Sequence, residues 1–129
     1  LRQTLLFVED NEDLCRYLMN AFQTDYRVVI AKNGKVGLEK AMEILPDVIV
    51  SDVMMPVMNV YKATRVIRQM SRPDAKTIPI LAMSANAFSD DIRQSLAAGM
   101  NEHLSKPIEE GKLLAAMARL LGKDEKAVR

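Results

Sequence analysis

Several features of secreted, membrane-spanning and nucleic-acid-binding proteins are scarce or missing in this chain of 129 residues. Its single cysteine, Cys15, cannot form a disulfide within the chain, which is typical of proteins in a reducing cytosol. No apolar run approaches the about 20 residues that a membrane-spanning helix needs, and no secretory leader is visible. The formal net charge of +1 excludes strong steering toward nucleic acid or anionic membranes. We therefore expect a cytoplasmic domain.

What the chain does contain is typical of one globular domain. Apolar residues make up 49% and charged residues 27%, which allows a sizeable core and a soluble surface. We expect residues 1–122 to form the domain and the polar residues 123–129 to be a tail or the start of a linker. The first residue is Leu1 rather than methionine, which suggests a domain excised from a longer protein.

Short apolar runs alternate five times with stretches of helical periodicity. The predicted strands are 5–8, 26–31, 48–51, 80–83 and 102–105. The predicted inward helical positions are Leu14, Leu18, Ala21 and Phe22, then Leu38, Ala41, Met42 and Leu45, then Ala63, Val66, Ile67 and Met70, then Ile92 and Leu96, and finally Leu113, Leu114, Met117, Leu120 and Leu121. Strands that are apolar on both faces and alternate with helices predict an α/β fold whose parallel sheet is doubly wound.

Turn and capping residues predict where these elements begin and end. Asn11 is expected to start the first helix, since an Asx side chain caps free backbone N–H groups. Asn33-Gly34 is predicted to be a turn, and residues 72–74 a loop. Pro46 should stop the second helix, Gly99 should cap the fourth, and Gly122 should stop the last.

Polar residues follow four of the predicted strands. Glu9 and Asp10 come after the first strand, Asp52 after the third, Ser84 after the fourth and Lys106 after the fifth. Ligands of doubly wound sheets bind outside the carboxyl ends of the strands, where neighbouring strand ends lie side by side. We therefore expect these five residues to converge on one site.

Three carboxylates at such a site would repel one another, and a divalent cation would relieve the repulsion. Mg²⁺ prefers oxygen ligands, whereas the lack of histidine and cysteine ligands argues against zinc. A carboxylate such as Asp52 can also attack phosphorus and form an aspartyl phosphate. Lys106 and Ser84 would then contact the phosphoryl oxygens, because phosphoryl transfer depends on charge stabilisation.

Each residue also has an ordinary interpretation when it is considered alone. Glu9 and Asp10 could belong to a solvated turn, and Asp52 could be a strand-end carboxylate in a loop. Ser84 could be a cap and Lys106 a surface lysine. These interpretations are less favoured together, because the residues occur in order at successive strand ends.

The residues resemble the receiver domain of bacterial two-component response regulators from residue 4 to about 121. The matching segments are Val8-Glu9-Asp10-Asn11, Asp52-Val53-Met54-Met55-Pro56, Ser84-Ala85 and Lys106-Pro107. Each segment is weak alone, but their order and spacing together are highly specific. The resemblance implies a flavodoxin-like (βα)5 fold with strand order 2-1-3-4-5.

The resemblance also implies a role for each matching residue. Asp52 corresponds to the phosphoacceptor, Asp10 to a direct Mg²⁺ ligand and Glu9 to a ligand acting through water. The backbone carbonyl of Met54 would also bind the metal. Ser84 and Lys106 would contact the phosphoryl group, and Pro107 would follow a cis peptide bond. His103 corresponds to the switch residue, which is commonly aromatic in the family.

Two segments further resemble receivers fused to hybrid sensor kinases. They are Ser84-Ala85-Asn86-Ala87 and His103-Leu104-Ser105-Lys106-Pro107-Ile108. Such a parent protein could be membrane-anchored. The chain departs from the family at Met58-Asn59-Val60, where Met-Asp-Gly is usual. Because a β-branched residue disfavours positive φ, Val60 could remodel this loop and the start of the third helix.

The implied activity is phosphoacceptance rather than enzymatic turnover. A histidine kinase or its phosphohistidine domain would phosphorylate Asp52, after which Ser84, Lys106 and His103 would rearrange. The face formed by the predicted fourth helix, fifth strand and fifth helix would then bind a partner, a phosphotransfer domain or a second receiver. No direct contact with nucleic acid or membrane is expected.

Two alternative functions remain open at this point. One is a degenerate receiver that is never phosphorylated and acts as an interaction module. The other is a Mg²⁺-dependent phosphohydrolase, which would need an acid or base near the nucleophile, often two residues later. Met54 occupies that position and cannot do this.

Overall fold

The computed structural model describes residues 3–44, 46–52, 60–71, 73–84 and 89–121. Within them, strands alternate with helices, except that two helices follow one another between the third and fourth strands. The strands are β1 (Thr4–Val8), β2 (Arg27–Ala31), β3 (Val48–Asp52), β4 (Ile80–Ser84) and β5 (Glu102–Ser105). The helices are α1 (Glu12–Phe22), α2 (Gly34–Ile44), α3 (Val60–Arg68), α4 (Pro73–Thr77), α5 (Ser89–Ala98) and α6 (Glu110–Leu121).

The strands form one parallel sheet in the order β2-β1-β3-β4-β5. This arrangement confirms the predicted doubly wound α/β fold and its strand order. The order reverses direction between β1 and β3, which lie side by side at the centre. Their carboxyl ends therefore meet at the position where doubly wound sheets bind ligands.

Alternate side chains of the central strands pack on opposite faces of the sheet. In β1, Leu5 and Phe7 join a buried cluster with Leu18 of α1 and Met117 of α6. The intervening side chains of β1 join a second cluster with Ala41 of α2, Ile67 of α3 and residues around α4 and α5. Helices cover both faces, which explains why β3 and β4 are entirely buried.

The helix boundaries follow local hydrogen bonds that the sequence partly predicts. Asn11 caps α1 as expected, since its Oδ1 accepts from the backbone N–H of Leu14 at 2.9 Å. Gly99 has φ of +108° and ends α5, which confirms the predicted cap. The turn predicted at Asn33-Gly34 is wrong, because Asn33 caps α2 through the N–H of Val36 and Gly34 already lies in the helix.

Helix α4 was not predicted, and its first residues had been assigned to a loop. A helix of five residues is too short to show a periodic apolar stripe, so sequence pattern cannot reveal it. Four residues predicted to face inward are instead exposed: Met42, Val66, Leu96 and Leu114. Too many positions were therefore assigned to the inward stripes. Within residues 92–98 of α5, whose side chains the structure describes, the buried ones are Ser95 and Ala98.

Some predictions fall outside the described residues. They concern Leu45, the loop 53–59 with Met54, and Gly122 with the tail 123–129. The first described residue after 53–59 is Val60, where helix α3 begins. Among the described helices, none has the length and apolar character required to span a bilayer.

Candidate functional site

The predicted site residues lie at the carboxyl ends of four adjacent strands. Glu9 and Asp10 follow β1, Asp52 and Ser84 are the last residues of β3 and β4, and Lys106 directly follows β5. Because the sheet order is β1-β3-β4-β5 across this region, folding brings together residues that are up to 97 positions apart. The expected convergence is thus present in the structure.

The three acids form a compact oxygen cluster. Glu9, Asp10 and Asp52 each offer a carboxylate oxygen, and these oxygens all lie within 4.8 Å of one another. Their environments differ, since Glu9 is fully buried, Asp52 is buried and Asp10 is exposed. The cluster is therefore open to solvent on the Asp10 side and enclosed on the Glu9 side.

Lys106 joins two of these acids from the β5 side. Its Nζ lies 3.1 Å from Oε1 of Glu9 and 3.1 Å from Oδ2 of Asp52. Its backbone N–H donates to the carbonyl of Ser84 at 2.7 Å, and its peptide bond to Pro107 is cis, as the resemblance implied. Burial lowers the pKa of Lys106, but hydrogen bonds to the two carboxylates outweigh it and leave the pKa raised. The amine is therefore charged at neutral pH.

Glu9 is held in place by the first turn of α1. Its Oε2 accepts from the backbone N–H of Asn11 at 3.0 Å, and its carbonyl oxygen accepts from Sγ of Cys15 at 3.3 Å. Burial raises the pKa of the Glu9 carboxyl group, while the N–H of Asn11 and the amine of Lys106 oppose the increase. The site therefore carries an acid whose ionised form is costly unless a cation lies beside it.

The donor set fits Mg²⁺ better than zinc. The clustered ligands are carboxylate oxygens, which Mg²⁺ prefers. Cys15 is buried with its sulfur against the Glu9 carbonyl, and His103 is engaged by two serines. Neither side chain belongs to the acid cluster formed by the described residues, so the nitrogen and sulfur ligands typical of zinc sites are missing from it.

A second polar cluster joins the last residue of β4, the second residue of β5 and helix α5. Oγ of Ser84 is 2.8 Å from Nε2 of His103, and Oγ of Ser95 on α5 is 3.1 Å from Nδ1 of the same ring. Both serines are buried. The imidazole thus joins the hydroxyl of Ser84 at the end of β4 to helix α5.

Sequence reasoning missed three contributors to these clusters. Cys15 was considered only for its lack of a disulfide partner, Asn11 was predicted only to be a cap, and Ser95 was not considered. Ser95 did carry a usable signal, because it lies three residues after Ile92 and therefore on the same side of the helix. A polar residue at such a buried position requires a hydrogen-bond partner.

Comparisons with known proteins agree with this geometry. A family model described as the response regulator receiver domain matches residues 5–118. The chain is 33% identical over 117 residues to hybrid signal transduction histidine kinase D from Dictyostelium discoideum, covering 91% of this chain and 7% of the kinase. It is 32% identical over 118 residues to response regulator ArlR from Staphylococcus epidermidis, covering 91% of this chain and 52% of ArlR.

A solved structure shares the whole architecture. It is the receiver domain of sensor histidine kinase PA1611 from Pseudomonas aeruginosa, with a magnesium ion coordinated in its active-site cleft. The two chains are 32% identical with a TM-score of 0.85, covering 95% of this chain and all of the other. The present chain corresponds to small parts of the full-length kinases and to about half of ArlR.

Proposed function

The chain belongs to the response regulator receiver domain family, and on that premise we propose that Asp52 accepts a phosphoryl group from a phosphohistidine. The donor is a histidine kinase or a phosphotransfer domain. One observation carries the proposal: the Asp52 carboxylate is buried at the end of β3, 3.1 Å from the amine of Lys106 and beside Glu9 and Asp10. Lys106, together with a Mg²⁺ ion held by the three acids, would supply the positive charge that transfer of a negatively charged phosphoryl group requires.

In the proposed transfer, an oxygen of Asp52 attacks phosphorus as the bond between phosphorus and the donor imidazole breaks. The imidazole leaves as a neutral ring after taking up a proton, and Asp52 becomes an acyl phosphate. Lys106 donates to a phosphoryl oxygen and holds the group in place, and Ser84 donates to another. Glu9 and Asp10, together with Asp52, would hold Mg²⁺, which would supply positive charge beside the phosphoryl oxygens.

We expect water to remove the phosphoryl group later, so that any catalysis is limited to the domain's own phosphorylation and dephosphorylation. A receiver is a signalling domain rather than a conventional enzyme. The phosphohydrolase alternative is not favoured, because the family match covers most of the chain. The degenerate-receiver alternative is not favoured either, since the acids, the hydroxyl and the lysine are all present and close together.

The output surface in this proposal is the face formed by α5, β5 and α6, here called the α5–β5–α6 face. Leu96 on α5 and Leu114 on α6 are exposed large apolar side chains on these elements, with relative exposures of 51% and 38%. Phosphorylation would shift the population between two arrangements of this face and change its affinity for a partner, a phosphotransfer domain or a second receiver.

We also propose that residues 1–122 are the receiver unit of a longer cytoplasmic assembly, with residues 123–129 leading into a linker. The match to a hybrid kinase supports a parent of that kind, which could itself be anchored in a membrane. Phosphate supplied by a kinase from ATP is available in the cytoplasm, which supports that location.

The test is Mg²⁺-dependent incorporation of phosphate from a phosphorylated histidine kinase or from acetyl phosphate. Wild type should gain one acyl phosphate per chain, and Asp52→Asn should gain none, because an amide is a very poor nucleophile. Asp25→Asn, which alters an exposed acid in the turn after α1, should behave like wild type. Equal labelling of Asp52→Asn and wild type would overturn the assignment.

A further inference from the structure

The hydrogen bonds around His103 allow its ring to exist in two neutral forms. Nε2 contacts the hydroxyl of Ser84 at 2.8 Å, and Nδ1 contacts the hydroxyl of Ser95 at 3.1 Å. A neutral imidazole donates from one nitrogen and accepts at the other, whereas a serine hydroxyl can do either. In one form Ser84 donates to Nε2 and Nδ1–H donates to Ser95. In the other, Nε2–H donates to Ser84 and Ser95 donates to Nδ1.

Only one of the two neutral forms is compatible with phosphorylation as proposed above. Ser84 has one hydroxyl proton, and in the proposed transfer it gives that proton to a phosphoryl oxygen. If the contact with His103 is kept, Nε2 must then be the donor and Ser84 the acceptor. A neutral ring that carries its proton on Nε2 accepts at Nδ1, so Ser95 must donate to it.

We propose that Ser95 is a positioning residue whose hydroxyl orientation depends on phosphorylation of Asp52, through the tautomer of His103. Phosphorylation turns the hydroxyl of Ser84 away from Nε2. The ring then takes up a proton from water at Nε2 and releases the Nδ1 proton to water, and the hydroxyl of Ser95 turns to donate to Nδ1. This inference rests on the proposed function, because it needs a phosphoryl group beside Ser84. It identifies Ser95 as the residue of α5 whose hydrogen bonding changes on phosphorylation.

The location of Ser95 makes the hydrogen-bond chain relevant to the output surface. Ser95 is fully buried on α5, and its carbonyl accepts from the N–H of Met100 at 3.0 Å where the helix ends. The next residue, Leu96, is half exposed on α5, one of the elements of the α5–β5–α6 face. A change in the side chain of Ser95 therefore occurs next to a solvent-exposed apolar side chain on α5.

The ring can be observed directly, because His103 is the only histidine in the chain. In ¹⁵N NMR spectra, the two ring nitrogens report which of them carries the proton. The measurement uses wild type at a pH above the ring's titration midpoint, found from the same spectra, with Mg²⁺ before and after beryllofluoride. We expect the ratio of the Nε2–H form to the Nδ1–H form to rise by roughly fivefold or more, the lower range of allosteric coupling.

The same samples separate failure of this inference from failure of the proposed function. If beryllofluoride does not perturb the backbone signal of Asp52, the phosphoacceptor proposal fails. If it binds but the ratio of the tautomers stays constant, or Nδ1 loses its hydrogen bond, the Ser95 inference is overturned. Asp52→Asn is the matched control and should show no change in the ring nitrogens.

Variants of Ser95 test whether this residue couples the ring of His103 to the backbone of α5. Ser95→Ala should still bind beryllofluoride, but its Nδ1 signal should differ from wild type and the response of the Leu96 and Ala97 amides should fall by roughly half or more. Ser95→Thr retains the hydroxyl and should restore the response, which a merely structural role would not predict. An undiminished amide response in Ser95→Ala would contradict the inference. The wild-type ring measurement stands even if a Ser95 variant fails to fold.

His103→Phe provides an independent check, because it keeps an aromatic ring but removes both ring nitrogens. With that ring, Ser95→Ala should have no further effect on the α5 response to beryllofluoride. If Ser95→Ala reduces the response equally with and without His103, Ser95 does not act through the imidazole and the inference fails.

Discussion

Two half-buried cations lie at opposite ends of the sheet, and they differ in the charge of their partners. At the carboxyl ends, Lys106 contacts the carboxylates of Glu9 and Asp52. At the amino ends, Arg68 donates to the carbonyls of Gly99 and Ala75. Burial lowers the pKa of Arg68, whereas the carboxylates leave the pKa of Lys106 raised despite burial.

This difference separates a stabilising network from a functional one. The guanidinium of Arg68 also donates to Oδ1 of Asn101, which in turn accepts from the N–H of Ile80, so one side chain ties together the segments that lead into β4 and β5. Among the described residues, the side chain of Arg68 donates to uncharged acceptors. Lys106 instead offsets part of the negative charge of Glu9 and Asp52, which are buried close together. With Asp10, the cluster contains three acids and one cation, and such an excess of charge marks the functional end of the sheet.

The largest expected effect comes from removing the cation at the functional end. Lys106→Met should reduce phosphate incorporation on Asp52 roughly 100-fold or more at saturating Mg²⁺, because a charged donor to the phosphoryl group is lost. The rate is measured with acetyl phosphate and with a phosphorylated kinase. Lys112→Met, which alters an exposed lysine on α6, should keep the wild-type rate. A wild-type rate for Lys106→Met would assign this lysine to stability alone.

The next effect concerns the cation at the other end. Arg68→Met should lower the free energy of unfolding by about 2–4 kcal/mol, because buried carbonyl groups lose their donor. Phosphate incorporation per folded molecule should stay close to wild type. Urea denaturation measures the first quantity, and Arg65→Met on the exposed side of α3 is the control. A strongly reduced rate of phosphate incorporation in folded Arg68→Met would contradict the distinction between a stabilising Arg68 and a functional Lys106.

The smallest expected effect has the opposite sign. Glu9→Gln should raise the free energy of unfolding without Mg²⁺ by on the order of 1 kcal/mol, because the amide avoids burying a charge. The folded-state pKa of Glu9 is raised by burial, so the cost of ionisation is absent below the ordinary pKa of a glutamate and appears as pH rises through the folded-state value. The difference in the free energy of unfolding between Glu9→Gln and wild type should therefore become smaller at acidic pH.

Adding Mg²⁺ sharpens the same experiment. Wild type should gain stability from the metal, because a ligand that binds only the folded state stabilises it. Glu9→Gln should gain less, whereas Glu39→Gln, an exposed acid on α2, should match wild type at each metal concentration. If Glu9→Gln were less stable than wild type without metal, the Glu9 carboxylate would stabilise the fold. The proposed contrast between a functional end and a stabilising end of the sheet would then be wrong.

Much of the fold was predictable because local patterns report it. The apolar runs predict β1 to β5, and strands apolar on both faces require helices on both sides of a parallel sheet. That topology places Asp52 near Glu9 and Lys106 without any knowledge of side-chain positions. The errors occurred where local patterns are weak, as in the short helix α4 and in the exposure of Leu96.

The sequence by itself determined the elements, their order and the residues at the strand ends, because hydrophobic periodicity and capping act over a few neighbouring positions. Only the tertiary structure decided which acid is fully buried, which cation contacts carboxylates and which serines contact His103. These properties depend on packing between Glu9 and Lys106, or between Ser95 and His103, from elements that are separated in the chain. Burial and partner charge arise only when such elements meet, and they govern the pKa of Glu9 and the bonding of the His103 ring.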